Sequence, residues 1–423
     1  MQQLKVAGLT ALSHLSKLLV NLFIIKQIAV TQGPEGLGLL GNFMTLVVIA
    51  GTLAGGGISS GIIKYISEFT GSLDRQRSFA GSAFVYTAAF SLFVLLIGLL
   101  CIRPFSEYIF LSSTYFPYLI AFLVAQIFVA FNNFAYGLMN GHRRNSLYAL
   151  VTIVGNLIAW FVASYSINHF GQWGAIIAIV APAVCPFLPA AMVAVSQPSL
   201  HRLKFHSIRK DSVLLSRFSL MMLFSTICFP LVEMHVRNAL IFNVSIDAAG
   251  YWQAITKLSS AYLSFYSLFL SFYFVPIISA ETDRGKLVKE TKKMLLFVAA
   301  LFIVMFTVFL SLKSFVIELV LSDKFIAISQ LFVLQMIGDF FRVLGWVIGF
   351  IVVAKALTKL FILGEILQGG LFVLLSSFEL QRTGELQAVI IAYVETCVSY
   401  CIIALAAFYY IFLRKKFRLA QSS

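Results

Sequence analysis

Long apolar runs and short polar breaks alternate along the whole chain. The runs fall at about 8–30, 37–66, 79–102, 116–138, 147–168, 173–195, 218–242, 250–278, 294–313, 326–353, 360–378 and 387–412. Most are close to the ~20 residues that carry a helix across a ~30 Å hydrocarbon core at 1.5 Å per residue. Lipid admits only helix bundles and closed barrels, because every backbone polar group must find a partner within the protein. The runs lack the two-residue alternation of barrel strands. They predict an all-α polytopic membrane protein of about twelve transmembrane helices.

The longest polar break, "SQPSLHRLKFHSIRKDSVLLSR", follows the sixth run and divides the spans six and six. It predicts an N-terminal six-helix lobe over 1–196, a cytoplasmic linker over 197–217, and a C-terminal six-helix lobe with a basic tail over 218–423. A weak internal echo accompanies the split. "EGLGLLGNF…YISEF" precedes "DAAGYWQAI…IISAE" by 212 residues, so that Gly38 falls on Gly250 and Ile66-Ser67 on Ile278-Ser279. Halves of six spans each are parallel repeats, and two such lobes are expected to enclose a central cavity.

Composition agrees: 60% of the 423 residues are hydrophobic and 11% charged. The net charge of +14 would suggest nucleic acid if it were spread evenly, but it is not. With the N-terminus inside, inward loops and tails carry 21 of the 31 basic residues, outward loops carry four (Arg103, Lys313, Lys324 and Arg382), and six lie within spans or at their ends. This is the positive-inside pattern of a polytopic membrane protein with both termini in the cytoplasm. The charge orients the chain and implies no nucleic-acid partner. The first thirty residues read as span one rather than a removable signal, since they hold lysines within the apolar run and no small-residue cleavage site.

Soluble-enzyme chemistry is missing from the sequence. It has no phosphate-binding Gly-rich loop, no HExxH and no Gly-x-Ser-x-Gly elbow. The five cysteines show no metal spacing, and Cys397 and Cys401 share a helix face suited to packing. Neither a metal nor a cofactor is expected. "GTLAGGGISSG" in span two places small residues four apart at Gly51/Gly55 and Gly57/Gly61. That spacing suits close helix packing, and the glycine cluster also suits a bend.

The chemistry lies in ionisable residues within the spans, where each charge disfavours insertion by roughly 2.5–3.5 kcal/mol and calls for a partner or a cavity. The cations are Lys17, Lys26, Arg237, Lys257 and Arg342, with Lys64 at an inner end; the acids are Glu233, Asp339, Glu365 and Glu395. Glu233 and Arg237 are spaced i, i+4 with the acid first, and Asp339 and Arg342 are spaced i, i+3 with Gln335 on the same face, so local ion pairs are expected. Lys17, Lys26 and Lys257 have no acid three or four residues away. Such cations facing a wet cavity suit an anionic ligand, and pyrophosphate matches point-charge lysines together with forked guanidiniums. Snorkelling is the alternative for Lys26 and Lys64. Nine residues separate Lys17 from Lys26, about 180° on an ideal helix, so a straight span one cannot aim both at one point. His235 points about 160° from Arg237 and reads as a packing residue.

"AVTQGPEGLGLLGNF", "GGGISSGIIKYISEF", "GYWQAITKLSSAYL", "LSDKFIAISQLFVLQMIGDFFRVLGWVIGFIVVAKAL" and "FILGE" together resemble the polysaccharide-transport branch of the multidrug/oligosaccharidyl-lipid/polysaccharide (MOP) exporter superfamily. Within it, the chain is most similar to the Wzx flippases for O-antigen and enterobacterial common antigen. The resemblance runs end to end. It implies two six-helix lobes of the MATE type and translocation of an undecaprenyl-pyrophosphate-linked oligosaccharide, with a proton or sodium counter-ion and a polysaccharide polymerase as further partners besides membrane lipid. Lys17, Lys26, Asn42, Lys64, Arg237, Gly250, Trp252, Gln335, Asp339, Lys355 and Glu365 fit positions that recur in the common-antigen flippases. Arg342 stands where those carry lysine; Glu233, His235 and Lys257 stand where they carry uncharged residues. The competing readings are an ion-coupled small-molecule antiporter of the multidrug type, which the excess of basic residues disfavours, and a non-transporting scaffold, which deep lysines disfavour.

The charge distribution makes a topology prediction. In a variant lacking the five native cysteines, Lys289→Cys should resist a membrane-impermeant maleimide in intact cells and label once the membrane is opened. Efficient labelling in intact cells would invert the topology.

Overall fold

The computed structural model describes residues 2–195, 203–204, 208–355 and 357–414. All regular structure among them is helical. The elements are α1 (Gln2–Leu53), α2 (Ser59–Glu68), α3 (Leu73–Leu100), α4 (Ile102–Phe110), α5 (Phe116–Gly141), α6 (Asn145–Val184), α7 (Phe187–Val195), α8 (Ile208–Asn243), α9 (Ile246–Phe269), α10 (Val275–Ala280), α11 (Arg284–Val320), α12 (Ser329–Ala354), α13 (Thr358–Thr383) and α14 (Leu386–Phe408). Short 3-10 or π-helical turns join several of them.

Nine helical stretches among the described residues are long and apolar enough to cross a bilayer. Two of these, Gly8–Glu68 and Asn145–Val195, each contain two of the runs read from the sequence. They are interrupted at Gly33 (φ 67°) and Gly171 (φ 53°). At the second interruption Ser166 Oγ donates to the Gly174 carbonyl at 3.0 Å, whereas eight residues of straight helix would span about 12 Å. The chain doubles back there. The charged helix α8 lies outside the nine, and the whole is consistent with about twelve crossings. The short helix α4 was not legible as an apolar run; it buries Ser106, Ile109 and Phe110.

Packing divides the chain into two compact units, Met1–Thr31 with Leu39–Pro230 and Gln32–Gly38 with Leu231–Ser423. The division falls at Pro230, within α8, rather than in the polar break at 197–217. The first turns of α8 explain why. Asp211 is fully buried and accepts both Nη atoms of Arg75, at 2.6 and 3.0 Å, together with Ser82 Oγ at 2.9 Å. The Arg75 guanidinium lies 4.6 Å from the Phe69 ring. Tyr86 and Ser219 share a hydrogen bond of 2.8 Å. Leu215 joins the apolar cluster of Ile58, Ile62, Ile66, Phe79 and Leu138. The start of α8 is thus built into the first unit. The tail after Arg414 lies outside the described residues.

In the first unit, the second run is broken in mid-course. Gly55, Gly56 and Gly57 all have positive φ (75°, 90° and 64°), a path that side chains with a Cβ resist. The carbonyls freed by the break must be satisfied in place. Asn133 of α5 does this, donating to Gly51 at 2.9 Å and Ala54 at 3.3 Å, and its own carbonyl accepts Ser59 Oγ at 3.0 Å. Both readings of the glycine cluster hold, because Gly55 also lies against Thr87 and Ala130, and Gly61 against Phe218.

In the second unit, α9 passes through a π-helical turn at Leu270–Phe274 before α10. Beyond α10, Lys355 Nζ donates to the Glu281 carbonyl at 2.6 Å. A lysine there suits the negative end of a helix. The segment Gln32–Gly38 packs on the start of α9. A Cβ on Gly250 would stand 1.8 Å from the Pro34 carbonyl oxygen, and one on Gly38 would stand 2.2 Å from the Ile246 carbonyl oxygen. The two glycines paired by the internal echo therefore meet.

Because backbone faces backbone at that crossing, Gly250→Ala has no side chain to push aside. It should lower stability in detergent by about 3 kcal/mol, read as a fall in the thermal midpoint. Gly349→Ala, at a helical glycine with nothing within 4 Å, should be neutral or stabilising by up to about 1 kcal/mol. Equal behaviour of the two variants would contradict the packing assigned to Gly250.

Candidate functional site

The ionisable residues are described within each unit. In the first, α1 carries Lys17 exposed and Lys26 half-buried, in keeping with their opposite faces. Asn156 Nδ2 donates to Ser16 Oγ at 2.9 Å, holding α1 to α6. Asn42 is buried. Lys64 is exposed, with Nζ 5.0 Å from the Tyr65 ring centroid.

The second unit gathers two clusters. The first joins α8 and α9. Arg237, only 1% exposed, donates Nη2 to Gln253 Oε1 at 2.6 Å and lies 5.3 Å from the Trp252 ring. Trp252 is itself buried, and its indole Nε1 makes no hydrogen bond. Glu233 and Lys257 are half-buried, and Glu233 acts electrostatically on both Arg237 and Lys257. The expected i, i+4 salt bridge is not among the ion pairs of the described residues, and Arg237 is held instead by a neutral amide from the next helix. His235 is exposed, on another face as its spacing implies.

The second cluster joins α9, α12 and α14 around Asp339, which is fully buried. Its Oδ2 accepts from Ser259 Oγ at 2.7 Å and from the Tyr262 hydroxyl, and its Oδ1 accepts from the Tyr393 hydroxyl at 2.6 Å. Arg342, one turn along α12, donates Nη1 to Tyr393 Oη at 3.0 Å and lies 5.3 Å from the Trp346 ring. Here too the expected local pair is not a direct salt bridge among the described residues. A tyrosine hydroxyl stands between acid and base. Gln335 is buried, with Oε1 making no hydrogen bond. Glu365 is half-buried and acts electrostatically on Arg342. Glu395 is exposed and belongs to neither cluster.

Charge reading of the sequence therefore found the ions but not what holds them. Gln253, Ser259, Tyr262, Tyr393 and Trp346 are neutral and come mostly from other helices, so spacing along one helix could not reveal them. No group of three or more metal-ligating side chains occurs among the described residues.

Residues 4–282 match the family described as polysaccharide biosynthesis protein. The chain belongs to that family. A polysaccharide biosynthesis relative, the lipid III flippase of Escherichia coli strain K12, is 32% identical over 395 residues, covering 92% of this chain and 94% of its own. Among solved structures, an inward-facing multidrug resistance MATE family transporter of the MOP superfamily superposes with a TM-score of 0.78 at 15% identity, covering 92% of this chain and 93% of its own. The lipid II flippase MurJ in its inward closed conformation gives 0.71 at 14% identity, covering 94% and 86%. These likenesses show that this polysaccharide biosynthesis family member shares the fold of those two proteins.

The Arg237–Gln253 contact can be weighed by a double-mutant cycle on unfolding. A hydrogen bond to a charged group contributes about 1.5–3 kcal/mol, so Arg237→Met and Gln253→Leu should show a coupling of about 2 kcal/mol. Additive effects would mean that the amide does not hold the guanidinium.

Proposed function

We propose that this protein is a flippase that carries an undecaprenyl-pyrophosphate-linked oligosaccharide from the cytoplasmic to the periplasmic leaflet of the bacterial inner membrane by alternating access. The observation that carries the reading is the 32% identity, along 92% of the chain, to a protein named lipid III flippase. The resemblance of Lys17, Lys26, Asn42, Arg237, Trp252 and Gln335 to positions of the common-antigen flippases favours a common-antigen repeat unit over an O-antigen unit. A polymerase of the growing polysaccharide is the natural assembly partner.

The site chemistry supports the same reading. A lipid-linked pyrophosphate is an anion whose phosphate oxygens accept strong hydrogen bonds, and arginine forks and lysine ammoniums donate them. Lys26, Lys257 and Arg342 are half-buried, so each keeps apolar surroundings that strengthen an ionic contact. Lys17, midway along span one, and Lys64, at the inner end of span two, serve as accessory cations. Arg237, held by Gln253 beside the Trp252 ring, acts by exchanging that amide contact for an anion, with Glu233 compensating its charge from nearby. Asp339 and Glu365 are charge partners of Arg342, and with Glu395 they are the carboxylates through which a proton or sodium gradient drives the cycle. An ion-coupled multidrug antiporter shares the fold, but sites for cationic drugs call for an excess of acidic groups, and the first cluster sets two cations, Arg237 and Lys257, against one acid, Glu233.

The test is transport of a fluorescent lipid-linked oligosaccharide in proteoliposomes, beside restoration of surface polysaccharide in cells lacking the flippase. Lys26→Ala and Arg342→Ala should each cut initial flux at least about tenfold, the loss of one charge-assisted contact, with unchanged protein in the membrane. Normal flux in both variants would remove the proposed roles of these two cations. Transport of a cationic dye in place of the oligosaccharide would favour the antiporter.

A further inference from the structure

The second cluster contains an arrangement that ordinary charge pairing does not explain. Asp339 and Arg342 sit three residues apart on α12, a spacing at which a direct salt bridge forms readily. In its place the contact runs Arg342 Nη1 to Tyr393 Oη at 3.0 Å, then Tyr393 hydroxyl to Asp339 Oδ1 at 2.6 Å. The direction of each bond is fixed. A guanidinium only donates, so the tyrosine oxygen accepts from Arg342; the tyrosine then gives its single hydrogen to the carboxylate. Ser259 and Tyr262 occupy Oδ2, so the carboxylate is satisfied by three hydroxyls from two other helices without the guanidinium.

This has a consequence for anion binding. A forked Asp–Arg pair would tie up two guanidinium donors and would have to be broken before Arg342 could engage a phosphate. With Tyr393 between them, Arg342 is compensated at one hydroxyl's remove, and its remaining donors are not committed to Asp339. The ring is held by neighbours on two other helices: its centroid lies 5.8 Å from that of Phe372, and its edge abuts Gly338.

We propose that Tyr393 is a positioning residue that keeps Arg342 and Asp339 from closing into a direct salt bridge, and so keeps Arg342 competent to bind the anionic group of the substrate. This rests on the reading of Arg342 as an anion-binding residue. Tyr393 touches no substrate atom; it acts through Arg342. The three hydroxyls around Asp339 belong to the same device, since a carboxylate already satisfied has less to gain from the guanidinium.

The experiment is calorimetric binding of inorganic pyrophosphate to the full-length protein in detergent at fixed pH. Tyr393→Phe keeps the ring and removes the hydroxyl, and its affinity should fall at least about tenfold as the salt bridge closes. Asp339→Asn should bind at least as tightly as the unaltered protein. The double variant Tyr393→Phe with Asp339→Asn should recover the lost affinity, because no acid is left for Arg342 to close upon. A purely structural tyrosine would not be rescued in this way. Tyr262→Phe, which also removes a donor to Asp339 but leaves the Arg342 contact, should weaken binding much less. Undiminished binding in Tyr393→Phe, or a double variant as weak as Tyr393→Phe, overturns the proposal. If Tyr393→Phe does not yield folded protein, weaker binding by Asp339→Asn alone overturns it and retained binding supports it. Failure of the unaltered protein to bind pyrophosphate, with Arg342→Ala still transporting, would overturn the anion site itself and this inference with it.

Discussion

A charge in the membrane-embedded part of a protein has to be solvated by the protein, and most of this structure's polar arrangement follows from that. Three ions are handled in three ways. Asp211 takes a bidentate arginine and a serine, a paired charge near one end of its helix. Arg237 takes an amide oxygen and the face of a tryptophan. Asp339 takes three hydroxyls. Only the first is an ordinary salt bridge. The other two are held through neutral groups, Arg237 by an amide oxygen and Asp339 by hydroxyls.

The backbone obeys the same constraint. Breaking a membrane helix exposes carbonyl and amide groups that lipid cannot satisfy. Where span two breaks at Gly55–Gly57, Asn133 supplies the missing donor from a neighbouring helix. Where α6 turns at Gly171, Ser166 supplies it from the chain's own preceding turn. At these two breaks a single polar side chain makes the repair, and Asn133 and Ser166 are as much part of the fold as the apolar runs.

These two repairs also mark the limit of what could be read along the chain. The spans were legible because their cause is local: an apolar stretch of the right length needs a helix whatever its neighbours do. The break in span two was legible as glycine clustering for the same reason. The clusters around Arg237 and Asp339 were legible only as charges. Spacing along one helix assigned Glu233 to Arg237 and Asp339 to Arg342, because the single-helix rule sees nothing else. In three dimensions Gln253 comes from α9 and Tyr393 from α14, and a tyrosine within an apolar run looks like an interfacial or packing residue. The division at Pro230 was hidden for a related reason: Asp211 and Leu215 pack into the first unit and carry the start of α8 with them.

The internal echo gains physical content when the two disrupted helices are compared. The offset that brings Gly38 onto Gly250 also brings residue 58, at the end of the glycine break in span two, onto residue 270, where the π-helical turn of the eighth run begins. Three consecutive left-handed glycines and a widened helical turn are different chemistry, and under the offset the glycines fall on residues 267–269, just before the π-turn at Leu270–Phe274, so the two interruptions of the hydrogen-bond ladder adjoin. π-Turns and glycine breaks both lower the energy needed to bend a helix. For a protein whose proposed work requires helices to change shape in lipid, these two interruptions are where bending costs least.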